Sequence, residues 1–221
     1  MNANDLQIDA PTEQMIREQL LDRGIDDQRV IEAMRGVPRD RFVPPEQREN
    51  AHTGRAMAIG HGQTISEAYI VALMTCALQT QPHHRVLDVG TGSGYQAAVL
   101  SRLVRDVYTV ERVKPLLDAA FDRLLDLGFR NVHFRFGDGT LGWPELAPFD
   151  RILIGAAAPQ VPHRMLLSQL VDGGIAVLPA GPGQQQQLLQ VTRRGDKLES
   201  RELCLCRFVP LIGREGWPEG T

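Results

Sequence analysis

The sequence predicts an α/β fold: a doubly wound, mainly parallel sheet, with a helical extension before it and an antiparallel hairpin after it. Three observations carry that expectation. Between residues 85 and 180 short apolar runs alternate with helical patterns, and βαβ alternation of this kind gives parallel strands with helices on both faces. The run Arg85-Val86-Leu87-Asp88-Val89 breaks into Gly90-Thr91-Gly92-Ser93-Gly94 before Tyr95, which reads as a buried strand, a tight turn and a helix start. Near the end, two strand-like runs flank the polar turn Arg194-Gly195-Asp196-Lys197, the pattern of a hairpin on a sheet edge. With 221 residues and 43% hydrophobic content, the chain is long enough to bury one full core. We expect a single domain with an extension at 1–62, an α/β core at 63–181, and a hairpin and tail at 182–221.

The elements follow in order. Met15, Ile16, Leu20 and Leu21 recur at helical spacing ahead of Gly24, placing a helix over Glu13 to Leu21 with a glycine at its end. A second helix is expected from Asp26 to Met34, ended by Gly36-Val37-Pro38. Arg39 to Pro45 reads as extended chain or loop, and Gln47 to Gly62 as a mobile polar loop with glycines at 54, 60 and 62. Thr64 and Glu67 have the spacing of a capping box, which puts Ser66 in the first turn of a helix running through Leu78. Further strands are expected at Val107 to Glu111, Val132 to Phe136, Phe149 to Gly155 and Gly174 to Pro179, with helices around Leu116 to Leu125 and His163 to Leu170. The hairpin strands are Gln187 to Arg193 and Arg201 to Val209, and the Gly/Pro-containing tail after Pro210 carries no assigned structure.

Composition removes several classes. A net charge of −3 and a pI near 6.1 give no basic field for a nucleic acid backbone. Cys76, Cys204 and Cys206 form an odd set without paired CxxC spacing, which fits a reducing compartment, with Cys204-Leu205-Cys206 packing on a strand. No basic-then-apolar leader and no apolar run of about 18 residues is present, so the expected location is the cytoplasm, with no membrane partner. The histidines show no metal-ligand spacing, and His83-His84 reads as exposed loop before the first core strand. No metal is expected.

The glycine turn narrows the ligand. Gly90-x-Gly92-x-Gly94 is not G-x-G-x-x-G, because Tyr95 stands where the third glycine belongs. No Gly-Lys-Ser/Thr follows it, and Asp88 just before it would repel a pyrophosphate. A carboxylate there suits a ligand with a cationic amine, and S-adenosylmethionine is such a ligand. Glu111 follows Gly90 by 21 residues, close to the distance at which an acid meets ribose hydroxyls. Asp138 ends the third strand, where it is placed to accept from the adenine amine. Thr64 and Ser66, at the expected helix start, are either caps of a core helix or part of a carboxylate site; spacing alone leaves both open.

Together the residues resemble the protein-L-isoaspartate O-methyltransferase family over residues 14 to 212. The resemblance rests on Gln19-Leu20 with Arg23-Gly24-Ile25, Val37-Pro38-Arg39 with Phe42-Val43-Pro44, Gly62-Gln63-Thr64-Ile65-Ser66, Val86 to Tyr95, Val110-Glu111-Arg112, Gly137-Asp138-Gly139, Gly155-Ala156-Ala157-Ala158-Pro159, and Phe208-Val209-Pro210-Leu211. It implies a Rossmann-like, S-adenosylmethionine-dependent methyltransferase fold and methyl transfer to the α-carboxylate of L-isoaspartyl residues in damaged proteins and peptides. It implies Ser66 as the active-site serine. Asp88, Gly90, Thr91, Gly92, Ser93, Glu111, Asp138 and Gly139 then fall in the cofactor site, and Thr64, Ile65, Ser66 and Val209 hold the substrate. We expect a monomer. The departures lie between residues 51 and 68. After Ser66 the family has a short residue or glutamine and then proline, where this chain has Glu67-Ala68. The family's Ala-Tyr and following acid stand here as Ala51-His52-Thr53-Gly54, and its Leu-Pro-Ile as Met57-Ala58-Ile59. A carboxylate beside Ser66 would repel an anionic acceptor unless Glu67 folds back as the capping-box residue. A methyltransferase with a different acceptor, or a non-catalytic cofactor-dependent binding module, remains open on these residues.

Overall fold

The structure, a computed structural model, describes residues 10–183 and 185–220. Helix α1 (Ala10–Met15) runs into a wider turn at Ile16–Leu20. Helix α2 (Gln28–Arg35) starts at Asp27, whose Oδ1 accepts from the Arg29 N–H at 2.9 Å and the Val30 N–H at 3.3 Å; the carboxylate satisfies two donors that a helix start leaves unpaired. The expected loop at 39–62 is more regular than its composition suggests. Arg39–Phe42 and Pro45–Asn50 are 3₁₀ turns, and β1 (Met57–Gly60) pairs antiparallel with β2 (Gln63–Ile65). Gly60 and Gly62, both at positive φ, turn this hairpin.

The capping box is a correction. Thr64 lies in β2, opposite Ala58, and α3 (Ala68–Ala77) begins only after Glu67, whose side chain makes no cap. Ser66 therefore sits between strand and helix, not in a first helical turn. Glu67 instead forms an ion pair with Arg23, so a tertiary contact replaces the local one. His84 is a second correction: it is buried, and its Nδ1 accepts from the Gln81 N–H at 3.0 Å.

The core sheet comprises β3 (Arg85–Val89), β4 (Asp106–Glu111), β5 (Val132–Phe136), β6 (Phe149–Ile154), β7 (Leu170–Ala180), β8 (Gln186–Arg194) and β9 (Lys197–Cys206). Their order is β5-β4-β3-β6-β7-β8-β9. The first four junctions are parallel and the last two antiparallel, as the alternating core and terminal hairpin predict. Helices α4 (Tyr95–Ser101), α5 (Lys114–Asp126) and α6 (His163–Gln169) fill the crossovers. Along β3 the side chains alternate between the faces: Val86 packs with Met34, Leu78 and Leu100, while Leu87 and Val89 pack with Ile152, Met165 and Leu166. The chain order reverses at β3, which has β4 on one side and β6 on the other; in open α/β sheets ligands bind at such a switch, beyond the carboxyl ends of the strands. Among the described residues no helix is long and apolar enough to cross a membrane.

Leu87 is 0% exposed at the middle of that strand. Leu87→Ala should lower the unfolding free energy by about 2–5 kcal/mol, read as a fall in the urea midpoint at unchanged slope.

Candidate active site

The glycine turn takes the chain from β3 into α4. Gly90, Gly92 and Gly94 all have positive φ, at 94°, 52° and 86°, which side chains disfavour. The turn is tied to its neighbours by backbone: the Gly90 N–H donates to the Val110 carbonyl at 2.9 Å, and the Gly155 N–H to the Val89 carbonyl at 2.8 Å. At the end of β4, Glu111 closes the turn, its Oε2 accepting from the Gly92 N–H and its Oε1 from the Val113 N–H, each at 2.9 Å. A carboxylate has about four lone-pair positions, so Glu111 keeps acceptor capacity for a further pair of donors.

Asp88 is 0% exposed. Its Oδ2 accepts from the Thr109 hydroxyl at 2.9 Å, the Thr91 and Thr109 hydroxyls lie 2.7 Å apart, and its Oδ1 has no partner. Burial pushes the Asp88 pKa up to about 7, against the opposing Thr109 hydrogen bond and with a smaller push from Glu111. A buried acceptor with nothing donating to it is costly, and a cationic donor is the group that would relieve it. The residues thus fit S-adenosylmethionine: an unpartnered buried acid suits its ammonium, and the spare acceptor capacity of Glu111 suits its ribose hydroxyls.

Three connected compartments surround the turn. One is lined by Gly90, Glu111, Gly139, Val209 and Leu211. A second is lined by Ile65, Ser66, Asp88, Thr91, Ser93 and Phe208. The third is lined by Arg23, Ser66, Glu67, Tyr69, Cys206 and Val209. Thr64 and Gly155 border all three, which joins the cofactor side to the acceptor side. All the expected site residues except Asp138 line these walls. Gly139 must be glycine, because a Cβ there would lie 2.7 Å from Val89 Cγ1. Asp138 lines an adjoining hollow with Arg112, Phe136 and Ile212. Its Oδ1 accepts from the Thr140 N–H and hydroxyl at 2.9 and 2.6 Å, and its Oδ2 from the Arg214 N–H at 2.7 Å. The same carboxylate anchors the C-terminal segment.

Sequence reasoning missed Arg39. It is 1% exposed; its Nε donates to the Ala51 carbonyl at 2.9 Å and its Nη2 to the Ser66 carbonyl at 2.6 Å. Its guanidinium carbon stands 4.7 Å from the Tyr95 ring centroid, while Nη1 and the Tyr95 hydroxyl are buried without a hydrogen bond of good geometry. Burial lowers the Arg39 pKa and raises that of Tyr95. One buried cation thereby links the N-terminal extension, the Ser66 peptide and the first residue of α4. Arg39, Asp40 and Arg41 stand together between Val37-Pro38 and Phe42-Val43, and nothing in that string marks which of the three is buried.

The profile of the protein-L-isoaspartate(D-aspartate) O-methyltransferase family matches residues 10–216. The chain belongs to this family. A protein-L-isoaspartate O-methyltransferase 2 from Pelobacter propionicus is 54% identical over 205 residues, covering 92% of this chain and 91% of that one. One from Dictyoglomus thermophilum is 50% identical over 202 residues, covering 91% of each. Among solved structures, a protein-L-isoaspartate O-methyltransferase from Plasmodium falciparum, in complex with S-adenosyl-L-homocysteine, superposes with a TM-score of 0.78 at 25% identity. It covers 91% of this chain and 96% of that chain. The isoaspartyl methyltransferase fold and the sheet expected from sequence therefore agree.

The raised Asp88 pKa sets a pH dependence for the ligand-free protein. A carboxyl whose folded pKa exceeds its unfolded value stabilises the fold fully below about pH 4, and that contribution is lost as pH rises through about 7. Asp88→Asn lacks the titration, so its stability relative to the parent should rise between pH 4 and 7 by at most about 1.4 kcal/mol per pH unit and level off above 7. Urea denaturation at four pH values measures it; a constant difference would show that Asp88 is not the titrating group.

Proposed function

We propose that Ser66, Asp88, Glu111 and Val209 serve, in this chain, the reaction of its family. That reaction is methyl transfer from S-adenosylmethionine to the α-carboxylate of L-isoaspartyl residues in damaged proteins and peptides. The observation that carries the assignment is the second compartment, where the Ser66 wall and the Asp88–Gly92 wall face one space. When bound, S-adenosylmethionine supplies an electrophilic methyl group on a sulfonium. Asp88 and Glu111 hold its ammonium and ribose ends, and the backbone of the glycine turn lets it approach closely. Gly139 and Leu211 complete the wall of the same cleft.

The acceptor needs no proton removed. A carboxylate with a reference pKa of about 4 is already ionised at neutral pH, so no histidine or lysine base is required, and the rate rests on in-line positioning and on excluding water. Neither the Ser66 hydroxyl nor the Val209 N–H has a hydrogen-bond partner among the described residues, whereas the Val209 carbonyl is taken by the Ala157 N–H at 2.8 Å. Both free donors border the third compartment and are available to orient the acceptor carboxylate. Glu67 does not oppose this. Its charge is paired with Arg23, whose guanidinium carbon lies 3.5 Å from the Tyr69 ring centroid. The pairing, not a capping box, occupies the carboxylate next to Ser66.

Incubation with labelled S-adenosylmethionine and an isoaspartyl peptide, against the normal aspartyl peptide, tests the reading; no transfer to the isoaspartyl form would sink it. Ser66→Ala removes one hydrogen bond to a charged group, so kcat/KM for the peptide should fall about 10- to 100-fold. The affinity for S-adenosylhomocysteine by calorimetry should hold. Lost cofactor binding with normal turnover at saturation would assign Ser66 to the other ligand. Arg23→Met frees the charge of Glu67 and should raise the peptide KM several-fold, most at low salt. The double variant with Glu67→Gln should recover it, and a KM that stays high in the double variant would show that Arg23 acts by another route.

A further inference from the structure

A second cavity lies behind the glycine turn, between the extension and α5, and three arginines line it: Arg41, Arg48 and Arg123. It shares Gly92 and Ser93 with the cofactor compartments and contains none of Asp88, Glu111 or Ser66. Arg123 is partly buried; its Nη1 donates to the Ser93 carbonyl at 2.9 Å, and its guanidinium carbon lies 5.8 Å from the Phe42 ring centroid. The side chains of Arg41 and Arg48 make no hydrogen bond or ion pair among the described residues. The one carboxylate in the lining, Asp126, forms no ion pair either. Burial, then Arg41 and Arg48, lower the Arg123 pKa, so the three cations are close enough to repel one another.

Three like charges gathered in a partly desolvated hollow oppose folding unless something neutralises them. A guanidinium presents a planar fork of donors that matches a tetrahedral oxyanion, and arginine pairs with phosphate through two parallel hydrogen bonds. A monovalent anion leaves most of the repulsion in place, whereas a phosphate dianion offsets it. The setting adds weight, since the chain as a whole carries a net charge of −3 and this concentration of positive charge runs against that background. We propose that the cavity is a binding site for a phosphate-class oxyanion, held by Arg41, Arg48 and Arg123. Through the Arg123–Ser93 hydrogen bond the anion abuts the turn that holds the cofactor, yet the site stands apart from methyl transfer, and its failure would leave the reaction assigned above untouched.

Calorimetric titration of the full chain with inorganic phosphate, at constant ionic strength set with sodium chloride, tests the proposal. One saturable site is expected, with phosphate raising the thermal midpoint where chloride at the same ionic strength does not. Arg41→Gln and Arg48→Gln alter exposed side chains and remove one of the repelling charges, so without phosphate they should fold with a midpoint at or above the parental one, and they should bind phosphate at least fivefold more weakly. No saturable binding, an equal response to chloride, or unchanged affinity in both variants would overturn it.

Discussion

A fully buried carboxylate with one oxygen unpartnered stands near the end of the central strand, and the site is built around it. Asp88 is held there by geometry it cannot escape. β3 is hydrogen-bonded on both sides, to β4 and β6; Leu87 and Val89, which flank Asp88, pack into one core, and Val86 into the core on the opposite face. A slip of one residue would move Asp88 to the other face and bring Leu87 and Val89 out of their core. The hydroxyls that soften its burial come from different elements, Thr109 from β4 and Thr91 from the turn. Strand register, turn conformation and site charge are thus one constraint. The ion that stabilises a cationic ligand is costly to the empty protein, as expected where a fold gives up stability for a preorganised site.

The acceptor side has a different support. Ser66 stands on no helix and ends no core strand; its peptide is held by Arg39, which also holds the Ala51 carbonyl and lies over Tyr95. The extension therefore reaches the chemistry through a buried guanidinium. A lysine could not make both bonds, because its ammonium is a single point at the end of a flexible stem, whereas the guanidinium presents a rigid fork. The neighbouring Glu67 is paired away by Arg23, again from the extension. Two arginines from the first forty residues thus set the position and the electrostatics of the serine.

What was legible in the sequence follows from whether the cause was local. The central strands β3, β6 and β7 were read from apolar runs because parallel strands are buried on both faces, the edge strand β5 from the alternation Val132-His133-Phe134-Arg135-Phe136, and the glycine turn because positive φ demands glycine. The hairpin at 57–65 was missed because its strands are only four and three residues long, too short for a periodicity to show, and lie among the glycines at 54, 60 and 62. Thr64 and Glu67 matched a capping spacing, yet pairing of Thr64 with Ala58 and of Glu67 with Arg23 outcompeted one local hydrogen bond. Asp138 was correctly placed at a strand end. Its partner, the Arg214 N–H, lies 76 residues away, and no local pattern reports a contact of that kind.

That distant contact explains how one segment can serve two ligands. From Phe208 onward the chain runs along both the acceptor and the cofactor compartments, with Val209 bordering both and Leu211 the cofactor cleft. Its course is fixed by a ladder on Ala157, whose N–H donates to the Val209 carbonyl and whose carbonyl accepts from the Leu211 N–H, each at 2.8 Å, and from Trp217 Nε1 at 3.0 Å. Asp138 then holds Arg214 on the far side. In-line transfer requires the two ligands to be registered to each other, and reacting atoms misplaced by an ångström lose much of the advantage of being bound together. A wall shared by both clefts and hydrogen-bonded to the end of the neighbouring strand supplies that register. The acid expected at the adenine amine also fixes that wall, through the Arg214 N–H.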